Sequence, residues 1–269
     1  MALKDTVNSI KEKEAFEDIE FLDVEDSFMK QTHKRIISIY GDKGTGKSAV
    51  AYGLMQPKDS CYVLSFDKKS ASPLEIPVIK NMDLDVKIVG PTLYYNKVTD
   101  PVWLSSSLKT VQYIQHLLNY AEDHEFDWIF IDCTEILKEI AEVAMRATYK
   151  CGVFGGVQIP FWKERKRILD TIHERAFELA KKGVIYSFYP KTENILMREG
   201  QVIDSKTTPN WIGSILQETD ITIHTKAKMN KDTWQFFANI ESSKDLFYKG
   251  GNYDITDACL YNVLSILNK

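Results

Sequence analysis

The chain has 269 residues, enough to bury one sizeable core. Hydrophobic residues make up 44% of it and charged residues 27%, which excludes a disordered or low-complexity chain. A formal charge of -4 excludes a generally basic, nucleic-acid-coating surface, although it leaves room for a local basic channel.

The four cysteines, Cys61, Cys133, Cys151 and Cys259, are widely spaced, with neither a CxxC pair nor a cluster of Cys and His ligands. They read as reduced, mostly buried thiols of an intracellular protein. The N-terminus has no apolar signal region, and no later segment reaches the roughly 18 apolar residues needed to span a bilayer. The expected location is the cytosol (a host's cytosol if the source is viral), without a membrane partner.

Residues 1–34 are charge-rich, with short apolar contacts offered by Phe16, Ile19, Phe21 and Leu22, and read as an N-terminal appendage to a domain over 35–269. The run from Arg35 to Tyr40 predicts a strand, Ser48 to Met55 a helix that Pro57 stops, and Cys61 to Phe66 a second strand, which together make one βαβ unit. Prolines at 73, 77, 91 and 101 mark 68–101 as irregular and peripheral, with short β-like runs at Ile76 to Ile79 and Val86 to Val89. Leu108, Val111, Ile114, Leu117 and Leu118 share one face of a helix predicted over 107–122. Asp127 to Asp132 is a nearly continuous apolar strand closed by an acid, the pattern of a central parallel strand covered on both faces.

A helix from Ile136 to Met145 follows, and Gly152, Gly155 and Gly156 break the chain. A long helix over 162–181 leads through Gly183 into a strand from Val184 to Tyr189. Lys191 to Val202 reads as a polar connection or hairpin, and Trp211 to Leu216 as a short helix. Ile221 to Lys228 and Trp234 to Ile240 alternate as two strands of a hairpin joined at Asn230-Lys231-Asp232, and a closing helix is expected over 256–267. The fold class is α/β: a mostly parallel central sheet flanked by helices, with a C-terminal antiparallel hairpin.

One motif carries chemistry. Gly41-Asp42-Lys43-Gly44-Thr45-Gly46-Lys47-Ser48 satisfies GxxxxGK[ST] in its required context, after a strand and before a helix. A loop that wraps a polyphosphate must turn its N–H groups inward, and side chains would block the φ > 0 geometry and hold the backbone away. Gly41, Gly44 and Gly46 remove that obstruction, and the residues through Ala49 add the unpaired N–H donors of the helix start. Lys47 is the cation that reaches the β- and γ-phosphates, Ser48 supplies a hydroxyl to Mg²⁺, and Thr45 is a cradle residue. ATP and Mg²⁺ are the expected cofactors.

Magnesium needs an anchor from a second strand. Asp132 stands at the end of one, either as that anchor or as a cap for the next helix. Glu135, beside Thr134, either positions the attacking water or caps the same helix. Asp67, at the end of the second strand, is a second candidate for the general base. Ser187 and Tyr189 are candidate polar sensors of water or phosphate, or else core and edge residues.

With GDKGTGKS and FIDCTE in place, the chain resembles the RecA-like branch of P-loop ATPases, the type with an additional strand in the sheet. Within that branch it is similar to small phage-type nucleotide-binding or single-strand annealing ATPases, from about Arg35 to Asp254. The resemblance implies ATP-dependent handling of single-stranded DNA in recombination or replication by a homo-oligomeric ring or filament, with a recombination or replication protein as partner. It also implies a hairpin cation that reaches a neighbouring subunit's nucleotide, for which Lys244 is the candidate, with an exposed solubilising lysine as the alternative. Relatives carry an aspartate–glutamate pair after the second strand where this chain has Asp67 and Lys68, and slow turnover is expected from that departure.

Two basic stretches are candidate DNA contacts: Lys163, Lys166 and Arg167 on the long helix, and Lys226 and Lys228 on the hairpin. Either is otherwise a solvated surface, and Phe161 and Trp162 stack on bases or anchor their helix. The competing functions are a nucleotide-switched assembly or regulatory protein that never touches DNA, and a small-molecule kinase. An arginine-rich lid, which a kinase would need, is missing from 191–202, where Arg198 stands alone.

Overall fold

The computed structural model describes residues 34–67, 69–90, 100–196, 202–231, 233–243 and 251–256. The chain divides into two units between Lys34 and Arg35, and the fold below is that of the second. The appendage over 1–33, Lys68, Lys244, Cys259 and the expected closing helix over 257–267 lie outside the described residues.

Strand β1 (Arg35–Gly41) runs into the glycine loop and helix α1 (Lys47–Gly53), and β2 (Ser60–Ser65) completes the predicted βαβ unit. The run Ile76 to Ile79 corrects the sequence reading: it is not β-like, because a 3₁₀ turn (Ser72–Glu75) ends just before it and short helix α2 (Pro77–Lys80) occupies the rest. Pro73 and Pro77 each fall in a first helical turn, where a missing N–H costs nothing, so they start these helices. Strand β3 (Asp85–Val89) follows, and then helix α3 (Asp100–Glu122), which begins seven residues earlier than expected with Pro101 in its first turn.

Strand β4 (Trp128–Asp132) is buried at every position, helix α4 (Thr134–Thr148) follows at once, and α5 (Trp162–Leu179) leads to β5 (Gly183–Phe188). Strands β6 (Pro190–Leu196) and β7 (Val202–Pro209) make a separate antiparallel pair, which resolves the 191–202 alternatives in favour of a hairpin. Helix α6 (Gly213–Glu218), strands β8 (Ile221–Asn230) and β9 (Thr233–Ser243), and β10 (Asn252–Asp254) complete the described fold.

The main sheet has the order β10-β9-β8-β1-β5-β4-β2-β3. Its pairings from β8 to β3 are parallel, and β8, β9 and β10 pair antiparallel. Side chains of period two divide the core between the two faces. On β4, Ile129 and Ile131 pack with Leu117, Ile140, Leu169 and Ile215 of α3 to α6. Trp128 and Phe130 pack on the other face with Val50, Met55 and Ile79. This double cover explains why β4 and β5 read as continuous apolar runs.

Gly183, where β5 enters the sheet beside Arg35, has φ +151 and could not carry a side chain: a Cβ there would sit 2.0 Å from the Arg35 carbonyl oxygen. Gly183→Ala therefore forces β5 off β1. It is expected to lower unfolding free energy by about 3 kcal/mol, read as a lower urea midpoint at unchanged slope.

Candidate functional site

The C-terminal ends of β1, β4 and β5 converge with the glycine loop on a cavity of about 360 Å³, lined among others by Gly44, Lys47, Ser48, Asp67, Asp132 and Tyr189. Beyond the Thr45 N–H, which bonds the Asp42 carbonyl at 3.4 Å, the next backbone bond is from the Val50 N–H to the Gly46 carbonyl at 2.9 Å. Among the described residues, the N–H groups of Gly44, Gly46, Lys47, Ser48 and Ala49 have no backbone partner. Gly44 and Gly46 adopt φ +80 and +87, left-handed geometry that favours glycine, and a Cβ on either would meet nothing within 4 Å. The space they leave open, faced by unpaired N–H donors, has the chemistry to accept an anion.

Gly41 is a glycine for a different reason. It pairs with Thr225 on β8, and a Cβ there would lie 2.3 Å from the Thr225 carbonyl oxygen and 2.7 Å from the Thr45 hydroxyl. Thr45 donates to the Asp42 carbonyl at 2.8 Å and shares a 2.7 Å hydrogen bond with the Thr225 hydroxyl, which pins the loop to β8. Asp42 and Lys43 are exposed on its outer turn.

Lys47 is buried. Its ammonium donates to the carbonyls of Gly41 and Asp42 at 2.8 and 2.9 Å and lies 4.2 Å above the centre of the Tyr189 ring. Burial holds its pKa below the usual lysine value, against the opposing pull of nearby anionic groups that include Glu135, Asp132 and Asp42. The Tyr189 hydroxyl is itself pushed up to about 12, mainly by burial.

Asp132 is 2% exposed at the end of β4. Its Oδ1 accepts from the Ser187 hydroxyl, and both its oxygens lie 3.4 Å from the Ser48 hydroxyl. Burial raises its pKa, while the Ser187 and Ser48 hydroxyls and Lys47 favour the ionised form. Ser187 also accepts from the Cys133 N–H at 3.1 Å, and its carbonyl accepts from the Thr134 hydroxyl at 3.1 Å. Ser187 is thus fully buried beside the carboxylate and orients it, with Cys133 in left-handed backbone geometry (φ 60) at the turn into α4.

The two candidate bases lie in different places. Asp67 is exposed and lines the anion cavity, its Oδ1 accepting from the Lys69 N–H at 3.1 Å. Glu135, in the first turn of α4, lines a separate cleft of about 540 Å³ with Trp103, Lys138 and Arg146. Its Oε2 lies 3.4 Å from the Tyr189 N–H, its Oε1 is buried with no hydrogen-bond partner, and burial raises its pKa.

Lys163, Lys166 and Arg167 stand on α5, and Lys226 and Lys228 on the β8–β9 hairpin; none of them lines the cavity. The sequence reading missed Phe236, Pro73 and Ile76, which do line it. The alternation of β9 could have placed Phe236 on the same face as the buried Ala238 and Ile240.

The oxygen donors of Ser48 and Asp132 suit Mg²⁺, which takes one or two protein ligands and leaves its other positions to phosphate and water. Among the described residues no cluster of three or more His, Cys, Asp or Glu side chains offers a metal site independent of a ligand. No helix among them is long and apolar enough to cross a membrane.

No family model matches this chain, and no curated protein matches it. Among solved structures it is similar to the flagellar accessory protein FlaH from Methanocaldococcus jannaschii, at 16% identity and a TM-score of 0.37, over 87% of this chain and 92% of that one. It is also similar to a KaiC-like protein from Pyrococcus horikoshii, at 10% identity and a TM-score of 0.43, over 82% of this chain and 84% of that one.

Because Ser187 bonds both the Asp132 carboxylate and the Cys133 N–H, Ser187→Ala leaves the buried Cys133 N–H without its partner and Asp132 with only the Ser48 hydroxyl at 3.4 Å. It is expected to cost about 1–3 kcal/mol in urea unfolding.

Proposed function

We propose that the chain is a RecA-like P-loop ATPase of the additional-strand type, which binds Mg-ATP, hydrolyses it slowly and couples the cycle to single-stranded DNA as a homo-oligomer. The observation that carries the nucleotide reading is the cradle itself: unpaired N–H groups, a buried lysine without a carboxylate partner, and a serine beside a buried aspartate, all around one cavity. Strand β5 stands between β1 and β4, which supports the additional-strand assignment. The single-strand part rests on the resemblance of GDKGTGKS and FIDCTE to the phage-type ATPases.

In this reading the backbone amides from Gly44 to Ala49 hold the triphosphate, and Lys47 leaves its carbonyls to face the γ-phosphoryl group. Ser48 and Asp132 would hold Mg²⁺, which supplies neutralisation of the charge developing on the phosphates. Ser187 keeps the carboxylate aimed at that position. Asp67 accepts a proton from the attacking water because it lines the cavity, whereas Glu135 lines the other cleft. The catalytic gain comes from alignment and electrostatic clamping in a site prepared before the reaction.

The experiment is a phosphate-release assay with and without single-stranded DNA, alongside calorimetry of ATP binding with magnesium. Lys47→Ala is expected to lower turnover at least about 100-fold. Asp67→Asn should lower kcat by about 100-fold or more while ATP still binds, with Glu135→Gln changing kcat less. The absence of any heat of ATP binding by the wild-type chain would refute the nucleotide reading, and turnover indifferent to DNA would remove its single-strand part.

A further inference from the structure

The fold treats its two basic stretches in opposite ways. On α5 three charges are met by carboxylates, Arg165 by Glu142 at 3.3 Å, Arg167 by Glu164 at 2.6 Å and Lys166 by Asp170 at 3.7 Å, and Lys163 alone of the candidate contacts there has no ion pair among the described residues. That helix face offers little uncompensated charge to a polyanion.

The β8–β9 ribbon differs. Residues 226–231 hold three lysines and no acid, and Lys226, Lys228 and Lys231 are all exposed; the next residue, Asp232, lies outside the described set. Opposite Lys226 and Lys228 on β9 stand Phe237 and Gln235, neither of which can neutralise them. The next cross-strand pair, Met229 and Trp234, leaves large apolar side chains 57% and 55% exposed.

Cross-strand pairs share a face and successive residues alternate, so Met229 and Trp234 lie on one face of the ribbon and Lys226 and Lys228 on the other. The register of β8 with β1 ends at Thr225, opposite Gly41, so the ribbon extends beyond β1 on the side of the phosphate loop, with β10 flanking β9 as far as Phe237. Five strand residues carry it roughly 17 Å. On the same face as Trp234 and two residues further along β9, Phe236 lines the cavity beside that loop.

We infer that the free end of the β8–β9 hairpin is a binding site for single-stranded nucleic acid. Its lysines neutralise phosphates, and an unpaired base stacks on Trp234 beside Met229. A sequence-tolerant strand site combines these two chemistries, uncompensated cations along a ribbon and an exposed aromatic face. A duplex keeps its base faces stacked inside and offers Trp234 nothing to stack on. The inference rests on the proposed single-strand activity and names the surface that serves it.

The test is fluorescence anisotropy of a labelled oligo(dT) with the full-length chain, in Mg²⁺ and a slowly hydrolysed ATP analogue, across a range of salt. The double variant Lys226→Gln/Lys228→Gln should bind at least about tenfold more weakly, and its log–log salt dependence should flatten by about 1.4. Trp234→Ala should lose about tenfold and Trp234→Phe retain most of the affinity, because a ring still stacks. Lys163→Gln/Lys166→Gln should bind like the wild type, and all four variants should keep DNA-free ATP turnover, which shows that they fold.

Wild-type affinity in the hairpin variants with loss in the α5 variant would overturn the hairpin site and leave the single-strand activity standing. No oligo(dT) binding by the wild type, with ATP binding intact, would overturn both. Unchanged oligo(dT) binding together with a reduced particle mass in the hairpin variants would make the ribbon a contact between copies of this chain, which also overturns the inference.

Discussion

A lysine ammonium taken out of water, with no carboxylate in contact, is the constraint around which this site is arranged. Lys47 has two carbonyl oxygens of its own loop and the face of Tyr189 for company. Carbonyl dipoles and a ring quadrupole offset only part of the cost of dehydrating a charge, and the lowered pKa of Lys47 is the sign of the remainder. A polyanion in the cavity would supply the missing countercharge. In the proposed reading, Lys47 would recover from phosphate part of the stabilisation that burial takes from its charge.

The position of β5 keeps that tension from relaxing internally. Neighbouring strands lie about 4.8 Å apart, so an intervening strand separates the lines of β1 and β4 by about 10 Å. Lys47 and Asp132 feel each other's charge without closing into an ion pair. The intervening strand then fills the gap with suitable groups: the Ser187 hydroxyl on Asp132, and the Tyr189 ring beneath Lys47. Two buried groups of opposite charge, each satisfied mostly by neutral dipoles, leave an opening that a metal–phosphate pair can occupy.

Much of this was legible in the sequence because it depends on local pattern. The continuous apolar run of β4, the strand–loop–helix around residues 41–48 and the alternation of β8 and β9 each follow from a period or a motif. What escaped depends on partners far along the chain. Nothing within Ile76 to Ile79 shows that Pro77 starts a helix, because proline reads as a breaker until the following residues are seen to turn. The reason for Gly41 lies in Thr225, 184 residues away, whose carbonyl would meet a Cβ. Asp67 and Glu135 are both strand-following acids in sequence, and only the three-dimensional fold places one in the anion cavity and the other in the neighbouring cleft.

The same dependence on distant partners separates the two basic segments, which composition cannot do. Glu142 reaches Arg165 across 23 residues, from α4 to α5, and so part of the neutralisation of α5 is a tertiary event. On the β8–β9 ribbon the direct cross-strand partners of Lys226 and Lys228 are uncharged, and β10 flanks β9 only as far as Phe237, opposite Lys226. Extension past β1 thus leaves Lys226 and Lys228 without an ion pair among the described residues and uncovers Met229 and Trp234 in one step. Because β9 carries both Trp234 at the tip and Phe236 at the cavity, a ligand at either place acts on the same strand.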